Sequence, residues 1–448
     1  MTEKEDLNPL VVNKKVNNNR SSGFTCDEDE EEDTNIPNKE ENNYYFILNE
    51  LICIVNILGT ALGIGVFTFP YILYEIGVIN SLFIFIFLSA SVYYTLDLLR
   101  RFVVDSKLFS YSKITQTILG NFWLKAYAIA TFLFYMSNIV NYLKIVYDLA
   151  KNMMEFLNDI LPKIFYFILT FVIEIILCLY TNNNSKIFIF SLIVFVSSII
   201  ILFIVVIKGI IFLSTEDDKF KYFSFFEIKN YHSGWDSFLL ITAKFIEFFY
   251  GYVYHSTFPT FLSDLENLEN TKKIHNTSYF IIFVYYFIFS FFGLFSINDK
   301  NLKKKQLFVS GEDLEENTAL ICIFKTILII YFFSFVPLRY IIIRDNYTSL
   351  IGKDVLPIKI EIIITTICLL IINLVVYFAN YENLISDIIL IFGGFFGVFI
   401  GFVLPVIIYI SINGKTKKRS IIGYIIAGIF IFIGFFSIFY NFKHKDDL

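Results

Sequence analysis

Eleven apolar runs follow one another along this chain, each at least as long as the roughly 17 residues that a helix needs to cross about 30 Å of hydrocarbon. They lie near 46–74, 79–99, 123–147, 164–180, 187–213, 237–262, 276–297, 318–340, 360–380, 384–411 and 421–441. Such a succession leaves one fold class, an all-α integral membrane protein with about eleven crossings. A β-barrel is not expected, because barrel strands alternate apolar and polar residues and these runs are apolar on every face. Composition agrees: 56% of the 448 residues are hydrophobic, and the mean hydropathy is +0.65. No phosphate-binding glycine loop follows a strand and no His/Cys ligand cluster is present, so neither an ATP-driven pump nor an enzyme is expected, and no cofactor, metal or nucleic acid is implied.

Residues 1–44 differ in kind, with twelve acidic and five basic side chains and seven consecutive acids from Asp27 to Asp33. Such a segment cannot bury a core and is expected to be disordered. It carries 5 − 12 = −7 of the total charge of −5, so the remainder is nearly balanced. The polar start is too long and too acidic for a cleavable signal, which predicts a cytosolic amino terminus. The arginines agree: Arg100, Arg101, Arg339, Arg344 and Arg419 all fall in expected cytosolic connections. Lysines and acids are mixed in the expected outer loops near 214–236 and 298–317. Five cysteines, four of them inside spans (Cys53, Cys178, Cys322 and Cys368), read as packing residues. Trp123 and Trp235, at span ends, read as interfacial anchors. The expected units are the tail 1–44, a transporter domain 45–441 with an extra helix at 420–441, and a short end 442–448.

Within the first span the stretch GTALGIGVFTFPY sets Gly59, Gly63, Gly65 and Pro70 close together. One reading is a small-residue face for helix packing, since Gly59 and Gly63 have G-x-x-x-G spacing. The other is an unwound segment between two half-helices, tolerated in a membrane only where it lines a cavity. The sixth span is interrupted in the same manner by Gly251 and Pro259. Two interrupted spans five apart imply an inverted repeat, about 45–213 and 236–411, with a ligand held between the breaks. Half-helix amide ends suit a carboxylate and freed carbonyls suit an ammonium or a cation, which together describe an amino acid.

The residues also resemble a known family. GIGVFTFPYILYEIG is similar to the first-helix motif of the amino acid/auxin permeases, which include sodium-coupled neutral and vacuolar amino acid transporters. YGYVYHSTFPTFLSDLEN, FVPLRYIIIRD and GGFFGVFIGFVLPVIIYI resemble later segments of that family, in order, and the four matches span most of residues 46–440. The resemblance implies an eleven-helix permease of the APC superfamily, with a ten-helix (5+5) inverted repeat of LeuT type, that carries amino acids by proton or sodium symport. It implies substrate contacts at Gly59, Thr60, Ala61, Gly63, Ile64 and Gly65 in the first break and at Tyr250, Gly251 and Tyr254 in the sixth. Asn56 and Ser334 would serve a sodium site, but Phe335 stands nearer the position where sodium-coupled members carry a hydroxyl, which favours protons.

Ionisable groups inside spans are costly and usually functional. His255, in the sixth span, reads either as a proton-responsive group or as a hydrogen-bonded strut. Lys244 and Glu247, one turn apart, read as a structural pair or as part of proton handling. Glu174, Lys144, Lys325 and Asp387 are weaker candidates. A plasma membrane or an acidic vacuole fits this topology. The competing expectations are a carrier for another small solute and an amino-acid sensor that signals through the acidic tail.

Overall fold

The computed structural model describes residues 39–153, 163–181, 184–215, 224–225, 228, 234–265, 267–296, 318–352, 356–378, 387–414 and 418–443. The acidic tail up to residue 38, the loop 298–317, most of 214–236 and the last five residues were subjects of expectation and lie outside them. The chain divides into two units, Met1–Tyr44 and Tyr45–Leu448; of the first only its helical end is described. Among the described residues there are helices and no strands.

In chain order the helices are α1 Lys39–Ala61, α2 Phe69–Ile76, α3 Val78–Ser106, α4 Tyr111–Leu119, α5 Asn121–Met153, α6 Lys163–Tyr180, α7 Asn184–Thr215, α8 Gly234–Tyr250 and α9 Phe258–Phe261. They continue as α10 Thr271–Phe295, α11 Thr318–Ile351, α12 Ile358–Phe378, α13 Leu404–Asn413 and α14 Lys418–Lys443. Among the described residues eight helices are long and apolar enough to cross a membrane, or nine when the bent pair α1 and α2 counts as one crossing. The two remaining expected crossings are helical but short: α6 contains a shorter apolar stretch, Phe167–Tyr180, and α8 stops at a break. The protein is a multi-pass integral membrane protein.

Burial orders the helices from centre to rim. The α5 span is 78% enclosed by protein, whereas α14 is 28% enclosed and turns Ile421, Ile425, Phe432 and Phe435 outward, as a lipid-facing helix must. Among the described residues nine tyrosines are fully buried, Tyr111, Tyr127, Tyr135, Tyr142, Tyr252, Tyr254, Tyr286, Tyr331 and Tyr340, beside the phenylalanines of the core. The 29 tyrosines carry a polar tip that needs a partner away from water. Several find one on a backbone carbonyl that irregular structure has released.

The tenth span shows this. Two stretches of wide π-helix, Ile389–Gly397 and Phe399–Val403, precede α13, and Pro405 follows them. Proline has no N–H, so the carbonyl five residues back, that of Ile400, lacks its helical donor. The Tyr111 hydroxyl donates to it at 3.1 Å. Tyr111 opens α4, a short helix capped by Ser110 and ended by Gly120, whose φ of +87° lets the chain reverse directly into α5.

Candidate functional site

The first and sixth spans are both broken, and the breaks touch. α1 ends at Ala61; the Gly63 N–H turns back to the Ala61 carbonyl at 2.8 Å, and Gly63 is extended. The chain resumes as a single 3-10 turn, Ile64–Thr68, leading into α2, bent by 51° from α1. In the sixth span α8 ends at Tyr250, and turns and coil occupy residues 251–257 before α9.

The two restarts are built alike. Thr68-Phe69-Pro70 and Thr257-Phe258-Pro259 repeat the same tripeptide, with proline in the first turn, where its missing N–H costs nothing. Each threonine hydroxyl bonds the carbonyl three residues back: Thr68 to Gly65 at 2.7 Å and Thr257 to Tyr254 at 2.8 Å.

The glycines divide between the two roles the sequence left open. A Cβ on Gly59 would lie 2.6 Å from Ser191 Cα, so this residue serves close packing of α1 on α7. A Cβ on Gly65 would lie 2.5 Å from Gly251 Cα, so here the backbones of the two breaks are in direct contact. One on Gly63 would meet the Tyr142 hydroxyl at 2.9 Å and Arg339 Nη2 at 3.3 Å.

The carbonyls released by the breaks are met by side chains from other helices. The Tyr286 hydroxyl of α10 lies 2.6 Å from the Ala61 carbonyl and 2.7 Å from that of Gly251, so one side chain bridges the two breaks. The Tyr331 hydroxyl of α11 donates to Leu62 O. Arg339 Nη2 donates to Thr60 O at 2.8 Å. The Thr60 hydroxyl bonds its own helix at Asn56 O and Ile57 O, and Ile64 is buried. Tyr286→Phe removes the hydroxyl these two carbonyls share; Ala61 O keeps the Gly63 N–H, and the melting midpoint should fall by the equivalent of about 1–3 kcal/mol, the cost of leaving the Gly251 carbonyl unpaired. A thermal melt in detergent reads this directly, and an unchanged midpoint counts against the bridge.

The other expected site residues are distributed around this centre. Tyr250 accepts from Asn141 Nδ2 at 3.3 Å. Tyr254 is buried, facing Phe258 edge-on. His255 Nε2 lies 2.9 Å from Thr95 Oγ1 of α3, with Phe402 nearby, which is the geometry of a strut between α3 and the unwound segment. Asn56 Oδ1 is buried without a hydrogen bond, while the Ser334 hydroxyl is occupied by Ile330 O of its own helix at 2.8 Å. Glu247 belongs to a triad: Lys244 Nζ is 2.8 Å from Glu247 Oε1 and 2.6 Å from Glu75 Oε2, with the Tyr71 ring beside it. The triad ties α2 to α8, one half of each broken span. The other halves are tied separately: the Cys53 thiol of α1 donates to Phe261 O of α9, and just beyond α9 Glu50 of α1 accepts from Asn270 at 2.7 Å and pairs with Lys273 of α10 at 3.0 Å. Among the weaker candidates, Glu174 accepts from Asn373 at 2.7 Å, and Lys144 pairs with Asp148 at 3.0 Å.

A family model described as transmembrane amino acid transporter protein matches residues 51–444. The chain belongs to that family. This makes it a membrane transporter, and both breaks fall inside the matched residues. Among solved structures, the family member is similar to a manganese transporter from Eremococcus coleocola, crystallised with an aromatic bis-isothiourea compound. That likeness has a TM-score of 0.51 at 11% identity and covers 90% of this chain and 87% of the other, so it speaks for the fold alone. No curated protein matches the sequence.

One expectation about this transporter is corrected. Arg339 was placed in a cytosolic connection with Arg344; it lies inside α11, 4% exposed, against the break of the first span. A charge at the end of an apolar run reads equally well as a flank or as an interior group. Tyr286, Tyr142, Tyr331 and Glu75 were also not singled out. Glu75 stands one residue past the expected end of the first span, and nothing in composition separates the three tyrosines from the other twenty-six.

Proposed function

We propose that this transporter moves amino acids across the bilayer by alternating access, coupled to protons. The observation that supports this reading is the contact of Gly65 with Gly251. Two unwound segments meet there in the membrane interior, so peptide groups of both face one small space, and irregular backbone at that depth is stable only where protein or a cavity covers it. The groups around that space are hydroxyls, amides and a guanidinium, which suit an organic zwitterion. Among the described residues no group of three or more His, Cys, Asp or Glu could hold a metal ion, so the manganese carried by the structural relative is not the favoured cargo.

The two ties described above give alternating access a physical form. Opening on one side breaks the Glu75–Lys244–Glu247 triad, and opening on the other breaks the Glu50–Asn270–Lys273 contacts. The two sets share no residue, so either can part while the other holds. The amino terminus is assigned to the cytosol from the arginine distribution.

The purified protein in liposomes tests the proposal. Radiolabelled amino acid uptake should rise several-fold with a proton gradient directed inward in sodium-free buffer and collapse when the gradient is dissipated. Strict dependence on sodium would overturn the coupling, and the absence of uptake or competition by any amino acid would overturn the cargo.

A further inference from the structure

Arg339 is a buried cation without an anion. Nη2 reaches the Thr60 carbonyl at 2.8 Å and the Tyr142 hydroxyl at 3.4 Å, while Nε and Nη1 are buried with no hydrogen-bond partner. The Tyr135 and Phe335 rings lie 5.6 and 5.5 Å from the guanidinium carbon, where ring faces offset part of the lost hydration. Among the described residues no carboxylate pairs with it, although every other arginine with an ion pair there (Arg100, Arg101 and Arg344) has its acid within 3.4 Å. A lone charge at such a depth is expensive and is kept where something else supplies the opposite charge.

Its position says where that anion would sit. The guanidinium lies against the backbone of Gly63, the residue that precedes the restart at Ile64. The first amides of a helical segment have no acceptor within it, so the break that Arg339 touches also carries the opening amides of Ile64 and Gly65.

We infer that Arg339 is the carboxylate anchor of the transport site. The solute's carboxylate accepts from Nε and Nη1 of Arg339 and from the opening amides of the second half-helix, with the Tyr142 hydroxyl at the edge. This rests on the reading of the chain as an amino acid carrier and deepens it in two ways. The essential group on the solute is the carboxylate, since Arg339 offers it a full opposite charge, whereas the carbonyls that would receive an ammonium carry none and that of Leu62 is already held by Tyr331. A fixed guanidinium at this spot also repels a metal cation, so sodium is not bound beside the solute.

The test uses the full-length protein in liposomes. For wild type, amino acid amides and methyl esters should compete with the parent amino acid at least roughly 100-fold more weakly, the scale of a lost buried charge pair. N-acetylated amino acids, which keep the carboxylate, should lose far less. Arg339→Gln should weaken the parent amino acid by a similar factor and leave weak competition by the amide unchanged, and Arg339→Lys should restore part of the loss. Esters equal to the parent on wild type, or Arg339→Gln with wild-type affinity, would overturn the assignment. If Arg339→Gln fails to insert, the ester series on wild type decides alone. If no amino acid is carried, thermal stabilisation by simple carboxylates such as lactate and succinate, seen in wild type and lost in Arg339→Lys, supports the anchor while the cargo reading falls; no stabilisation sinks both.

Discussion

Gly65→Ala will reduce uptake by at least roughly 100-fold while leaving the protein inserted in the membrane. The added methyl carbon would stand 2.5 Å from Gly251 Cα and 2.7 Å from its nitrogen, and both are backbone atoms that no rotamer change can move aside. The two broken spans must separate, and a displacement of about 1 Å at a substrate site is enough for a loss of that size. Two comparisons isolate the cause. Gly251→Ala meets Phe69 Cζ at 2.9 Å, the far end of a ring held between Phe248 and Tyr286, and should be milder. Gly59→Ala strikes Ser191 backbone away from the break and should lower the melting temperature more than it lowers affinity. Uptake rates beside thermal melts of the three variants check the order, and a fully active Gly65→Ala would mean that the breaks do not meet at the substrate.

Lys244→Met is expected to give the largest loss of stability, about 3–5 kcal/mol, because it removes the shared cation of Glu75 and Glu247 and leaves the two carboxylates facing each other. Adding Glu75→Gln to Lys244→Met should restore most of the loss at neutral pH. Melting curves of the single and double variants read this; a single variant as stable as wild type, or a double variant no better than the single, removes the triad from the account.

The fold class was open to reading because the bilayer imposes a length that no soluble helix must obey, and the first break because glycine and proline cluster where an apolar helix would have no use for them. The second break followed from Gly251 and Pro259, but the repeated Thr-Phe-Pro passed unnoticed, since a tripeptide is too short to stand out in so biased a composition. The role of Gly59 could not be separated from that of Gly65 without knowing that Ser191 faces the one and Gly251 the other. The glycines of GGFFGVFIG marked the tenth span but neither its π-helical winding nor the neighbours they admit: a Cβ on Gly401 would meet Phe249 Cζ at 2.8 Å, and one on Gly394 would meet Ser437 Oγ at 2.9 Å. Arg339 was misplaced for the same reason, because hydropathy assigns a residue to a depth along a span and says nothing of which neighbours surround it.

The Tyr286 hydroxyl has a single hydrogen and stands between two acceptors, Ala61 O and Gly251 O. Ala61 O also accepts from the Gly63 N–H, so Gly251 O is the one left wanting whenever that hydrogen turns to Ala61. The seam between the closed spans thus holds fewer hydrogens than acceptors, parting it forfeits less than two full bonds, and a guest bringing its own N–H donors would find an acceptor already waiting at Gly251.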